Sequence, residues 1–213
     1  MLHGLARKSG SMRKMQRALE ADGFDTCNIG YPSTKHRIEA LARDYILPEI
    51  ELCASGGSFP MHFVTHSLGG IIVRYLDERE LIEPIGRVVM FSPPNRGSEV
   101  VDKMGQTWLF RLFNGPAGQE LGTDSSSVPM QLGPANFELG IVTGSRTINP
   151  FLSMMIKGKD DGKVSIERAA LEGMQDMLVI PTSHPFIMKN RTAIAQTIQF
   201  LKTGAFERTA DLD

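Results

Sequence analysis

The sequence has no block of like charge, no long apolar run and no spacing of residues that suggests a bound metal. Its 23 Lys and Arg nearly balance 24 Asp and Glu, leaving a formal net charge of −1. Neither a nucleic acid nor an anionic membrane is therefore implied as a partner. No apolar stretch approaches the roughly 20 residues that cross a bilayer. The N-terminus carries charge but no apolar core of a secretory leader, so a cytoplasmic location is the expectation. Cysteine is scarce, with only Cys27 and Cys53. Cys27 falls on an apparent strand and Cys53 at a helix end, which reads as two free buried thiols rather than a disulfide or a metal pair. No repeat, low-complexity tract or linker divides the 213 residues, so they are read as one domain, 1–213.

What is present is an alternation of short apolar runs and amphipathic stretches. Strands are expected at Phe24 to Tyr31, Met61 to Val64, Arg87 to Phe91, Leu139 to Thr143 and Met177 to Ile180. Between them lie helical spacings: Met12, Met15 and Leu19; Ile38, Leu41, Tyr45 and Ile46, with Pro48 expected to kink or end that helix; and Leu68, Ile71, Ile72, Tyr75 and Leu76. Ser55 to Ser58 reads as a loop, and Ile187, Ile194, Ile198 and Leu201 mark a final helix. This order implies an α/β fold, a mostly parallel sheet with helices on both faces and its ligand site beyond the carboxyl ends of the strands. Met1 to Gly4 reads as the end of a strand and a turn, so the first strand is expected to be truncated, with residues upstream in the native protein. A second copy would cover the strand edge left there, which keeps a homodimer open. From about 97 to 134 the alternation breaks, and this stretch reads as a lid-like insertion.

The stretch from Phe63 to Gly70 carries the chemistry. Ser67 sits where a strand turns into a helix, backed by Gly69 and Gly70. A tight turn there lifts the hydroxyl out of the sheet, and the helix start aims free N–H groups at it. This is the nucleophile-elbow pattern G-x-S-x-G, with Thr65 in place of the first Gly. Among the five histidines, His184 alone follows the last strand at the sheet end where Ser67 opens, and is the candidate base. His66, next to Ser67, is expected to point away. His62 is expected in the core, His36 at an exposed helix start and His3 as a prop of the first turn. The acid should lie between Ser67 and His184. Asp160 and Asp161, in a Gly-flanked turn, are the candidates, with Asp176 a third. Backbone N–H groups of Leu5 and Leu68 would form an oxyanion hole, and Trp108, Leu109 and Phe113 an acyl-binding wall.

His3-Gly4-Leu5, Thr65-His66-Ser67-Leu68-Gly69-Gly70, Asp160-Asp161-Gly162-Lys163-Val164 and His184 together resemble the α/β-hydrolase lipases and esterases, small bacterial lipases in particular. The resemblance runs from residue 1 to about 204. It implies the α/β-hydrolase fold and a serine hydrolase that cleaves carboxylic esters through an acyl-enzyme. Its Asp-Gly-x-Val turn places the acid on Asp161. No cofactor is implied. Calcium is common in such lipases, but no ligand spacing here supports it. Short to medium acyl chains are the expectation. The rivals are a true lipase, thioesterase, amidase or acyltransferase on the same fold, and a relative that has lost catalysis and binds a partner.

Overall fold

The computed structural model describes residues 1–56, 60–82 and 84–208; Gly57 and Ser58 of the expected 55–58 loop lie outside the described residues. Four apolar runs pair as parallel strands: β1 (Met61–His66), β2 (Ile85–Phe91), β3 (Leu139–Gly144) and β4 (Asp176–Ile180), in that spatial order. Successive residues face opposite ways. Phe63, Val88 and Ile141 pack into one apolar layer, and Val64, Val89 and Val142 into the other. Both faces are covered, which is why these strands read as continuous apolar runs rather than as an alternation with polar residues.

The first layer is built from α2 (Ile38–Ala40), α3 (Leu47–Ala54) and α4 (Leu68–Glu78). A π-helical turn, Leu41–Ile46, joins α2 to α3. Pro48 is the second residue of α3, so the break expected at the proline is taken up by the widened turn before it. The second layer is built from α1 (Arg13–Ala21), entered through a 3-10 turn at Ser9–Met12, together with α10 (Arg191–Thr203), which Gly204 ends in a left-handed conformation.

Between β2 and β3 the chain forms α5 (Glu99–Met104), α6 (Trp108–Gln119, interrupted at Gly115) and α7 (Val128–Gln131). Between β3 and β4 it forms α8 (Pro150–Ser153) and α9 (Ile166–Ala169). Buried Arg74 of α4 fastens the first of these excursions. Its guanidinium donates to the Asn95 carbonyl at 3.0 Å, to Leu132 at 2.9 Å and to Gly133 at 3.1 Å. Burial lowers its pKa to about 10, against the opposing pull of Glu78.

Two expectations need correction. The strand over Phe24 to Tyr31 does not form as a ladder. Ile29 makes a single parallel bridge to Leu2, which also bridges Thr65. Among the described residues, Met1 and Leu2 alone bond to the 24–29 segment from the side of β1, so it forms no ladder there. The cysteines are not free thiols. Cys27 and Cys53 form a disulfide with Cα atoms 6.3 Å apart, because the end of α3 comes back beside the 24–29 segment. Sequence separation alone could not show that return.

Candidate active site

The site lies at the carboxyl ends of the strands, where β1 turns into α4. Ser67 occupies the turn with φ 52° and ψ −118°, a region that a side-chain-bearing residue enters only at a cost of about 1–3 kcal/mol. Its N–H donates to the Phe91 carbonyl at the end of β2, 2.8 Å away, and Gly70 N–H returns to its carbonyl at 3.0 Å. The tight turn depends on Gly69. A Cβ there would stand 2.8 Å from the Leu2 carbonyl oxygen and 3.1 Å from that of His3.

The turn at residues 3–5 is laid against the same point. A Cβ on Gly4 would sit 2.6 Å from His66 Nδ1 and 3.2 Å from the Ser67 Cβ. His3 props this turn. It stacks on Tyr31 with ring centroids 4.1 Å apart, and its Nε2 accepts from Tyr31 N–H at 3.3 Å. The Tyr31 hydroxyl donates to the His3 carbonyl. Leu5 thus lines the cavity beside Ser67, and Leu68 is the first residue of α4, a position whose N–H has no acceptor within its helix.

Asp161 and His184 come together. Their Oδ2 and Nδ1 atoms are 2.7 Å apart, and both residues are buried. The other carboxylate oxygen of Asp161 accepts the Lys163 and Val164 N–H groups, each at 3.0 Å. His184 N–H donates to the Asp161 carbonyl at 2.9 Å, which locks the two loops side by side. Burial pushes the Asp161 carboxyl up, but the His184 charge and hydrogen bonds from His184, Ser92 and Val164 outweigh it and hold the group below its ordinary value. Asp160 points elsewhere, to Ser153 Oγ at 2.6 Å and Gly162 N–H at 2.7 Å. Asp176 is at the far end of β4, where it binds Arg208 and the Phe206 N–H.

Ser67, His184 and Leu5 line one cavity of about 240 Å³, roofed by Val101, Leu109, Phe110 and Phe113. Trp108, expected in this wall, is 70% exposed and does not line it; Phe110 lines it instead. The reason is helical phase. On α6, residues 109, 110 and 113 share a face, and 108 falls outside that stripe. His66 also differs from expectation. It does not point away but lies beside His184, with ring centroids 4.8 Å apart, and its Nε2 is 3.1 Å from the His184 carbonyl oxygen. Strand alternation puts residues 64 and 66 on one face, the face from which the loop carrying His184 comes down. Burial first, then the His184 and Arg7 charges, keep the His66 pKa well below its ordinary value. His62 is partly buried and accepts from Arg87 N–H at 2.8 Å, and His36 meets the Tyr45 hydroxyl at 2.8 Å.

No protein-family model matches the sequence, and no curated protein matches it. Solved structures do. The lipase BlEst2 of Bacillus licheniformis in its mature form superposes with a TM-score of 0.72 at 19% identity, over 94% of this chain and 89% of that one. The phospholipase PlaB of Legionella pneumophila gives 0.73 at 18% identity over 96% of this chain. The metagenomic carboxyl esterase MGS0156 gives 0.63 at 17% over 87% of this chain and 64% of that one. The chain has the α/β-hydrolase fold. It spans 59% of PlaB, and 51% of BlEst2 when the propeptide is present.

Within the α/β-hydrolase fold the parallel sheet brings Ser67, Asp161 and His184 to one end, each on the loop after a different strand: β1, β3 and β4. Sequence reasoning passed over Ser92, whose hydroxyl steadies Asp161 from the turn after β2, also at positive φ. Its signal was present: Ser92-Pro93-Pro94 ends a buried strand at the same edge as Ser67. Among the described residues no helix is long and apolar enough to cross a membrane, and no group of three or more His, Cys, Asp or Glu is arranged to hold a metal ion.

Proposed function

We propose that the chain is a serine hydrolase of carboxylic esters, with Ser67 as nucleophile, His184 as general base and acid, and Asp161 as the group that orients the imidazole. The observation that carries this is the buried Asp161–His184 hydrogen bond beside a strained Ser67 in a shared cavity. With Nδ1 donating to Asp161, His184 Nε2 is left as the acceptor. Nε2 takes the Ser67 proton as Oγ adds to the ester carbonyl. The oxyanion is met by the N–H groups of Leu5 and Leu68, and one such donor is worth about 100–1,000-fold in rate. His184 then returns the proton to the leaving alcohol as the C–O bond breaks. A water, deprotonated by the same nitrogen, attacks the acyl-enzyme and frees the acid and Ser67.

Leu109 and Phe113 form the acyl wall in this reading, with Phe110 replacing Trp108. The cavity's size favours short to medium acyl groups. A second reading, a lipase working at a lipid surface, is favoured by the apolar residues exposed on α6, on α8 and just after it: Trp108, Leu112, Phe113, Phe151 and Met154. The Cys27–Cys53 bridge favours an oxidising compartment over a cytoplasmic one. The test is turnover of 4-nitrophenyl esters of rising chain length, dissolved and then presented in micelles. Hydrolysis that disappears in Ser67→Ala supports the proposal. Absence of hydrolysis across the series contradicts it, and a rate jump on micelles selects the lipase.

A further inference from the structure

Among the described residues the cavity lining carries two cations and no acid. Arg7 lies just after the Leu5 turn and Lys163 two residues after Asp161; both line the cavity with Ser67 and His184, and no described Asp or Glu does. Neither side chain has an ion-pair or hydrogen-bond partner among the described residues. This concentration of positive charge stands out in a chain whose net charge is −1. Lys163 is exposed and lines the cavity, and its pKa is lowered first by desolvation and then by the Arg7 charge, against the pull of Asp161. Below them the wall is apolar, through Val101, Leu109, Phe110 and Phe113. An apolar cavity with a cationic rim that forms no ion pair of its own is complementary to a molecule with a greasy chain and an anionic group. Guanidinium and ammonium groups meet phosphate or carboxylate in charge-assisted hydrogen bonds.

We propose that this site selects anionic amphiphilic esters, with the acyl chain on the Leu109 and Phe113 wall and a phosphate or carboxylate of the same molecule held by Arg7 and Lys163. The substrate class rests on the hydrolase reading above; the anion preference itself does not.

Binding is read by isothermal titration calorimetry, which reports occupancy without any turnover. The protein is titrated with octyl phosphate, octanoate and octanol, each kept below its micelle concentration. At least one anion is expected to bind about tenfold or more tighter than octanol, with an advantage that shrinks as NaCl is raised. Preference for octyl phosphate alone assigns the rim to phosphate, and preference for both to anions generally. In Arg7→Gln/Lys163→Gln the anion-to-octanol affinity ratio falls to near one, while Lys163→Arg keeps it. Equal affinity for all three ligands in the wild type, or an intact preference in the double variant, overturns the proposal. If the double variant does not fold, the wild-type salt titration decides. An anion preference without ester turnover would sink the hydrolase reading and leave this inference standing.

Discussion

Replacing Asp161 by Asn keeps the shape of the site and inverts one hydrogen bond. Asp161 Oδ1 accepts two backbone N–H groups, from Lys163 and Val164. Those donors fix an acceptor at that position, so the oxygen of the new side-chain amide must take it. The amide NH₂ then faces His184 Nδ1, where the carboxylate oxygen lay 2.7 Å away. Nδ1 is forced to accept, the proton moves to Nε2, and the imidazole can no longer take the Ser67 proton. A wrong tautomer in such a triad costs about 10,000-fold in kcat, equivalent to about 5 kcal/mol of barrier. Asp160→Asn is the internal control, because its oxygens meet Ser153 and Gly162 and not His184. The assay is steady-state hydrolysis of a short 4-nitrophenyl ester by wild type and both variants, with circular dichroism to confirm folding. Near-normal kcat in folded Asp161→Asn, or a larger loss in Asp160→Asn, would refute the reasoning.

Four further outcomes follow from the same geometry. The Asp161 carboxyl is held below its ordinary value, so it stabilises the fold above about pH 4 and loses that contribution as pH falls through the folded-state value; urea midpoints of wild type and Asp161→Asn should converge in acid, and a gap that widens instead would contradict this. Gly69→Ala drives a Cβ into the Leu2 and His3 carbonyls, so urea unfolding should show a loss of about 1–3 kcal/mol, with a fall in kcat as Ser67 and Leu5 separate. Cys27→Ser/Cys53→Ser opens a loop with a sequence separation of 26 and should cost about 3–4 kcal/mol of stability, with kcat retained because neither cysteine lines the cavity. Arg74→Ala strands the Asn95, Leu132 and Gly133 carbonyls and should cost about 3 kcal/mol or more by thermal or urea unfolding.

The parts of this molecule legible in its sequence are those set by local rules. β2, β3 and β4 are short apolar runs, and the helices between them carry one-sided spacing, so their order implied the parallel sheet. The approach of Asp161 to His184 followed from chain order along such a sheet together with a family resemblance. What stayed hidden depends on contacts between distant segments. Phe24 to Tyr31 has the composition of a strand, yet a ladder needs a neighbour, and among the described residues it makes a single bridge, Ile29 to Leu2. The Cys27–Cys53 bridge needs α3 to return to that segment. Whether Trp108 or Phe110 faces the cavity turns on the phase of one short helix. Arg7 and Lys163 look like ordinary surface charges until the fold sets them at one rim.

The central claim is that His184 activates the Ser67 hydroxyl. Its most direct test is reaction of the folded protein with a fluorophosphonate, followed by peptide mass spectrometry, in wild type and in His184→Ala. The account predicts one adduct per chain, on Ser67, and almost none in the variant. No adduct in the wild type, an adduct on another residue, or equal labelling without His184 would contradict it.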